Sequence, residues 1–209
     1  GDVQPIAVGI DTGIAREAIT AKSEHHTYLN IQADAVTWVS RHIDTRRNMR
    51  RGRRYRKTPC RQMRLNRKFG GDRIRPSIRA RWNWKIRLCS WLSRYYPITD
   101  YIVEDIKAKT KKNQTRWNKS FSPLEDSKYW FYSNLGLLGN VHKRGGWETK
   151  AERDTLLLKK SSNKMSDRFE AHCVDSWVLA NSYIGGHISP DNKNVIRIVP
   201  LRFHRRQLH

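Results

Sequence analysis

Residues 46–68 constrain the fold of this chain most, because they include twelve Lys or Arg residues and no Asp or Glu. Unpaired charges that enter an apolar core lose their hydration without compensation. We therefore expect this segment to lie at the surface. A segment of this charge density favours binding to a polyanion, and nucleic acid phosphate is the obvious candidate.

The charge of the whole chain agrees with that interpretation. Lys and Arg number 42 against 19 Asp and Glu, which gives a formal net charge of +23 and a sequence pI near 10.5. A basic protein that merely resists aggregation is the alternative, but the charge here is clustered rather than interspersed. The length of 209 residues suits one larger domain or a domain with an appended arm.

The sequence shows no membrane-spanning or secretory pattern and no zinc-binding cysteine pattern. The sequence has no run of eighteen apolar residues and no secretory signal pattern, so we expect no membrane partner. The three cysteines lack the paired spacing of zinc ligands, which predicts reduced thiols in a cytoplasmic protein.

The hydrophobic pattern predicts alternating strands and helices. It predicts a three-stranded meander within residues 5–34, and then a helix over 35–57, a helix over 78–95, a strand over 98–104, a connection over 107–123, a helix over 130–138, a strand over 138–142, helices over 148–160 and 166–183, and an edge strand over 195–199. A meander followed by β-α units is typical of a mixed sheet with flanking helices. This element order is that of the RNase H-like fold, so the fold class we predict is α/β.

Three acidic residues stand next to or within apolar elements. Asp11 and Glu104 end predicted strands, and Asp175 lies in a predicted apolar helix. Such positions are costly for an acid unless a cation binds there. Carboxylate oxygens are ligands that Mg²⁺ prefers, and two such ions about 4 Å apart can hold the attacking and leaving oxygens of a phosphodiester. His172, one helical turn before Asp175, could position water.

Each of these residues also has an ordinary interpretation. Asp11 precedes a turn, where Asp is common, and Glu104 could pair with one of the many arginines. Asp175 could be a solvent-facing helical residue. The combination therefore favours a site more than any single member does. Among the aromatic residues, we expect core packing for Trp130, Phe131 and Tyr132, and base stacking for Trp117.

Four segments together resemble the RRXRR-type RuvC nucleases, which include the transposon-encoded IscB and IsrB proteins. The segments are Gly9-Ile10-Asp11-Thr12-Gly13, Arg50-Arg51-Gly52-Arg53-Arg54, Ile102-Val103-Glu104-Asp105-Ile106 and His172-Cys173-Val174-Asp175-Ser176-Trp177. The resemblance extends to the basic end, residues 202–209. It implies an RNase H-like (RuvC) mixed sheet with an inserted arginine-rich bridge helix.

The resemblance also implies roles for particular residues. Asp11, Glu104 and Asp175 would be the metal-binding carboxylates of the split RuvC site, with His172 as a fourth catalytic residue. They would hold two Mg²⁺ ions, for which Mn²⁺ could substitute, and the reaction would be hydrolysis of one DNA strand. The bridge helix would contact a guide RNA and its DNA target. Its candidate nucleic-acid-binding residues are Arg46, Arg47, Arg50, Arg51, Arg53, Arg54, Arg56 and Lys57.

The chain departs from the IscB pattern in the segment before the third motif. Residues 105–171 are too few for an HNH nuclease, and their sole histidine is His142, so the IsrB-like type with nicking activity is favoured. The family's preceding and following domains are not expected here. We expect RuvC segments over 1–34, 71–106 and 166–209, a bridge helix over 35–70 and a connection over 107–165. The open alternatives are an unguided branched-DNA resolvase and an inactive nucleic-acid-binding fragment.

Overall fold

The computed structural model of the chain describes residues 4–59, 74–106, 125 and 127–201. Four sequence predictions therefore fall wholly or partly outside the described residues: the second half of the basic segment, the connection over 107–123, the stacking role of Trp117 and the basic end of the chain. Within the described part, no helix is long and apolar enough to cross a membrane.

Within the described residues, six strands form one mixed sheet. They are β1 (Ile6–Asp11), β2 (Arg16–Lys22), β3 (Thr27–Asp34), β4 (Ile98–Asp105), β5 (Asn140–Gly145) and β6 (Val195–Ile198), and their order across the sheet is β5-β4-β1-β2-β3-β6. Strands β1 to β3 are an antiparallel meander, whereas β4 pairs parallel with both β1 and β5. Strand β6 lies at the edge, parallel to β3. The predicted α/β, RNase H-like class is confirmed.

Five α-helices accompany the sheet among the described residues. They are α1 (Trp38–Tyr55), α2 (Pro76–Leu92), α3 (Lys128–Leu135), α4 (Gly146–Thr155) and α5 (Cys173–Ile184). The last of these begins later than the sequence pattern predicts, after a 3₁₀ turn at Phe169–Ala171. The guanidinium of Arg16 donates to the carbonyl oxygens of Met165 and Ser166, and these carbonyls are therefore engaged outside the helix.

The two faces of the sheet differ in the residues that cover them. On one face, Ile6, Val8 and Ile10 of β1 belong to a large apolar core with side chains of α2 and α3. On the other face, Ala7 packs with Leu179 of α5. Because side chains alternate along a strand, Gly9 and Asp11 share the α5 face with Ala7.

Helix α5 lies in direct contact with β1. A Cβ atom on Gly9 would come within 1.9 Å of the carbonyl oxygen of Ser176, so only glycine allows this approach. Polar contacts also fix the helix, because the hydroxyls of Ser176 and Thr20 are 2.7 Å apart and Nζ of Lys22 donates to Oδ1 of Asn181 at 2.8 Å. Helix α5 is thereby held at a defined height above the central strands.

Helix α1 is the exception to this packing, because none of its residues is buried. The next helix, α2, is by contrast anchored by a fully buried ion pair. Nζ of Lys85 lies 2.7 Å from Oε1 of Glu17 on β2, and both side chains have no exposed surface. Helix α1 is therefore followed in the chain by a helix, α2, that is anchored to the sheet.

Candidate metal and nucleic-acid site

Two of the predicted carboxylates come together because their strands are parallel neighbours. The pairing of Ile10 with Val103 places Asp11 beside Glu104, at the carboxyl ends of β1 and β4. Carboxyl ends of parallel strands meet at one edge of a sheet, where open α/β folds commonly bind ligands. Thr12, directly after β1, also contacts β4, since its hydroxyl lies 3.4 Å from the carbonyl oxygen of Glu104.

The third carboxylate comes from the first turn of α5. Asp175 is buried, with 3% of its surface exposed, and its charge acts on both Asp11 and Glu104. The contact of Ser176 with Gly9 fixes where this turn crosses β1. The structure thus brings together residues 11, 104 and 175, as the sequence predicts.

The site raises the affinity of Asp11 and Glu104 for protons. Burial raises the pKa of Glu104 to about 8, and the charges of Asp11 and Asp175 add to that shift. Burial and the charge of Asp175 also raise the pKa of Asp11, although a hydrogen bond from Glu104 opposes this. The pair therefore favours one proton in a hydrogen bond between Glu104 and Asp11. Crowded carboxylates of this kind favour a bound cation.

Two basic side chains supply positive charge to Asp175. Nη1 of Arg153, on α4, lies 2.5 Å from Oδ1 of Asp175, and Nζ of Lys160 contacts the other carboxylate oxygen, Oδ2. Burial disfavours the charge of Lys160, but the carboxylates of Asp11 and Asp175 raise its pKa above the ordinary value. Both oxygens of Asp175 are therefore engaged by cations of the chain itself.

The three carboxylates are chemically suited to bind a divalent cation. Three carboxylates offer oxygen ligands, and the proton shared by Asp11 and Glu104 occupies a place where a cation would relieve their repulsion. The arrangement is not that of a closed metal site, since no group of three or more His, Cys, Asp or Glu side chains among the described residues is spaced to hold one ion. Asp175 would have to exchange Arg153 or Lys160 for a metal ion.

His172 lies at the edge of the carboxylate cluster. It precedes α5 and does not share a helical face with Asp175, because the helix begins at Cys173. Its charge acts on Asp11, while Nε2 lies 2.9 Å from the carbonyl oxygen of Lys164. His172 is thus close to the cluster but has one ring nitrogen engaged by the backbone.

The predicted nucleic-acid-binding residues all lie on or just after α1. Every one of them is exposed, and none forms a salt bridge within the part of the chain that the structure describes; they are Arg46, Arg47, Arg50, Arg51, Arg53, Arg54, Arg56 and Lys57. A helix that is charged on every face and has no acidic partners needs an external anion to offset its self-repulsion. The exposure of α1 leaves these side chains accessible to a polyanion.

Sequence reasoning missed Arg153 and Lys160. In the sequence they are two of 42 basic residues, and no spacing distinguishes them. Their positions depend on how α4 packs against α5, which no local pattern encodes. The predicted packing of Phe131 and Tyr132 is confirmed, because both are buried against α2, and Trp130 is partly buried in the same core.

A mixed sheet with carboxylates gathered where its central parallel strands end defines the class of this molecule, an α/β protein of RNase H-like fold with an acidic site. The chain belongs to the RRXRR family: the family model described as "RRXRR protein" matches residues 1–121, which is more than half of the chain. Arg50-Arg51-Gly52-Arg53-Arg54 on α1 carries the pattern that gives this family its name.

Solved structures with a similar arrangement include two proteins that act at DNA junctions. T. thermophilus RuvC in complex with a Holliday junction substrate is 12% identical, with a TM-score of 0.43, over 87% of this chain and 97% of that chain. The yeast mitochondrial Holliday junction resolvase Ydc2 is 13% identical, with a TM-score of 0.42, over 88% of this chain and 80% of that chain. No curated protein matches the sequence.

Proposed function

We propose that this chain is a RuvC-like endonuclease that hydrolyses phosphodiester bonds in one strand of DNA with the help of a divalent metal ion. The observation that carries the proposal is the convergence of Asp11, Glu104 and Asp175 from two strands and a helix. Asp11 and Glu104, whose pKa values are raised by burial and by the neighbouring charge of Asp175, are poised to exchange protons for metal ions. A site used only for structure would gain nothing from this repulsion.

Asp11, Glu104 and Asp175 are the residues that would hold Mg²⁺, as two ions, with Mn²⁺ as a substitute. Bound there, the metal would activate water and stabilise the charge that develops on the phosphate oxygens. Glu104 would hold the metal ion as an ionised carboxylate. Lys160, whose Nζ contacts Oδ2 of Asp175, would supply positive charge beside a bound phosphate. His172 is the candidate for orienting water at the edge of the site.

Helix α1 supports a second part of the proposal, which concerns the nucleic acid partner. We infer that α1 is a bridge helix that binds a guide RNA paired with the DNA target, as in proteins of the IscB and IsrB type. Its exposed arginines can contact a phosphate backbone without reading sequence, a task that guide pairing would perform. In this assignment, the RuvC segments are residues 1–34, 71–106 and 166–209, the bridge helix is 35–70 and the connection is 107–165. The expected location is the cytoplasm, at the nucleoid.

The test is strand-resolved cleavage of end-labelled duplex DNA in Mg²⁺, with and without RNA that co-purifies with the chain. Asp11→Asn should reduce the cleavage rate by about a hundredfold or more while DNA affinity in EDTA stays within about twofold of wild type. The variant should melt no lower than wild type, because one charge is removed from a crowded site.

Asp100→Asn is the matched control. Asp100 is also buried and lies on β4, but its carboxylate is bonded to His142 and Tyr183 rather than to the cluster. Cleavage should survive this change. Cleavage of one strand that requires RNA supports guided nicking, whereas cleavage of branched DNA without RNA supports an unguided resolvase. Equal activity of Asp11→Asn and wild type would refute the metal-dependent site.

A further inference from the structure

Trp147 is exposed at the start of α4, with 77% of its surface accessible. Within the described part of the chain, its ring makes no aromatic or cation–π contact. Tyr129 and Tyr132 differ in this respect, because the rings of both make a cation–π contact with Nζ of Lys143. The indole of Trp147 therefore leaves a large apolar surface in water, where a flat partner can contact it.

The backbone that carries Trp147 is fixed at the edge of the acidic site. A Cβ atom on the preceding residue, Gly146, would come within 2.7 Å of Oε1 of Glu104. Gly146 is therefore a direct neighbour of the Glu104 carboxylate. Trp147 is the next residue, and its Cα lies about 3.8 Å from that of Gly146. Of Trp91 and Trp147, the two exposed tryptophans in the described part of the chain, Trp147 is the one whose backbone borders the proposed catalytic cluster.

The start of α4 is also held in place. The backbone N–H of Gly145 donates to Oε2 of Glu148 at 2.5 Å, which caps the first turn of the helix. A Cβ atom on Gly145 would lie 2.9 Å from Nε1 of Trp147, so the indole rests against the glycine backbone. This contact restrains the indole, which therefore loses less conformational freedom when a base binds to it.

We propose that Trp147 is a stacking platform for an unpaired base of the DNA strand that lies across Asp11, Glu104 and Asp175. This inference rests on the proposed nuclease function and adds a residue that fixes which nucleotide enters the site. Aromatic side chains bind bases of any sequence through their π faces, next to cations that follow the phosphates. Lys143 and Lys150 are exposed on either side of Trp147 in the chain and supply such charge.

The experiment measures binding of a forked DNA duplex in EDTA, so that its result does not depend on cleavage. Single abasic nucleotides are placed at successive positions of the unpaired arm. Wild type should lose affinity by about 5- to 100-fold at one position, where the base that stacks is missing. Trp147→Ala should lose the same factor on intact DNA and become insensitive to that abasic position. Trp147→Phe should retain most of the affinity.

Two controls separate stacking from other effects. Trp91→Ala removes another exposed tryptophan, on α2 and against Tyr95, and should leave the abasic profile unchanged. Stacking is nonionic, so Trp147→Ala should shift affinity without changing the slope of log K against log salt. A flat abasic profile in wild type, or Trp147→Ala binding as tightly as wild type, overturns the inference. Either result leaves the cleavage test with Asp11→Asn to decide the proposed function.

Discussion

Asp11 and Glu104 face each other in a buried site, where burial and the charge of Asp175 raise the pKa of both carboxyl groups. The third carboxylate, Asp175, is compensated in another way. Asp175 keeps two cationic partners, Arg153 and Lys160, within hydrogen-bonding distance. One half of the site is therefore neutralised by a proton and the other half by side chains. A divalent metal ion would have to compete with both.

The raised pKa of Glu104 should be visible in the stability of the metal-free protein. That pKa is about 8 in the folded chain against an ordinary 4.5, so the folded state binds a proton that the unfolded state has released between these pH values. The free energy of unfolding should therefore fall as pH rises from about 4.5 to about 8. Denaturant titrations in EDTA should show a shallower fall for Glu104→Gln than for wild type. Parallel pH profiles would contradict the shift.

Some of this detail could be predicted from the sequence, and the rest could not. Asp11 and Glu104 follow strongly apolar strands, so local pattern alone placed them at strand ends. Trp147, Arg153 and Lys160 have no such pattern around them. Their positions follow from the packing of α4 against α5 and from the pairing of β5 with β4, which are contacts between distant segments. The late start of α5 has the same origin, since it depends on bonds made by Arg16.

Helix α5 depends on one glycine for its contact with the sheet. Gly9→Ala would place a methyl carbon 1.9 Å from the carbonyl oxygen of Ser176, and backbone atoms cannot move aside as a flexible side chain does. We expect a loss of about 1–3 kcal/mol or more in the free energy of unfolding, because overpacking forces the helix away from β1. The displacement should also weaken Mg²⁺-dependent stabilisation, since Asp175 moves with the helix.

Thermal melts with and without Mg²⁺ measure both effects. Gly52→Ala is the matched control, because an added Cβ at this position in α1 would meet no atom within 4 Å. That substitution should stabilise the helix by about 1 kcal/mol instead. A Gly9→Ala variant that melts like wild type would show that α5 does not lie as close to β1 as described.

The net charge of +23 acts over the whole molecule, whereas the proposal assigns binding to one helix. Arg50→Glu with Arg53→Glu should weaken nucleic acid binding and reduce the slope of log K against log salt by about 2, because two phosphate contacts are lost. Arg94→Glu with Lys193→Glu makes the same change in net charge at exposed positions outside α1. If both pairs flatten the slope equally, binding follows overall charge and α1 has no special role.

The acidic cluster takes its three members from residues 11, 104 and 175, so it exists only after most of the chain has been synthesised and folded. The basic helix α1 is complete by residue 55. A ribosome-bound or proteolytically shortened chain can therefore carry the arginines without the cluster. Under the proposed function, such a chain would bind nucleic acid without being able to cleave it.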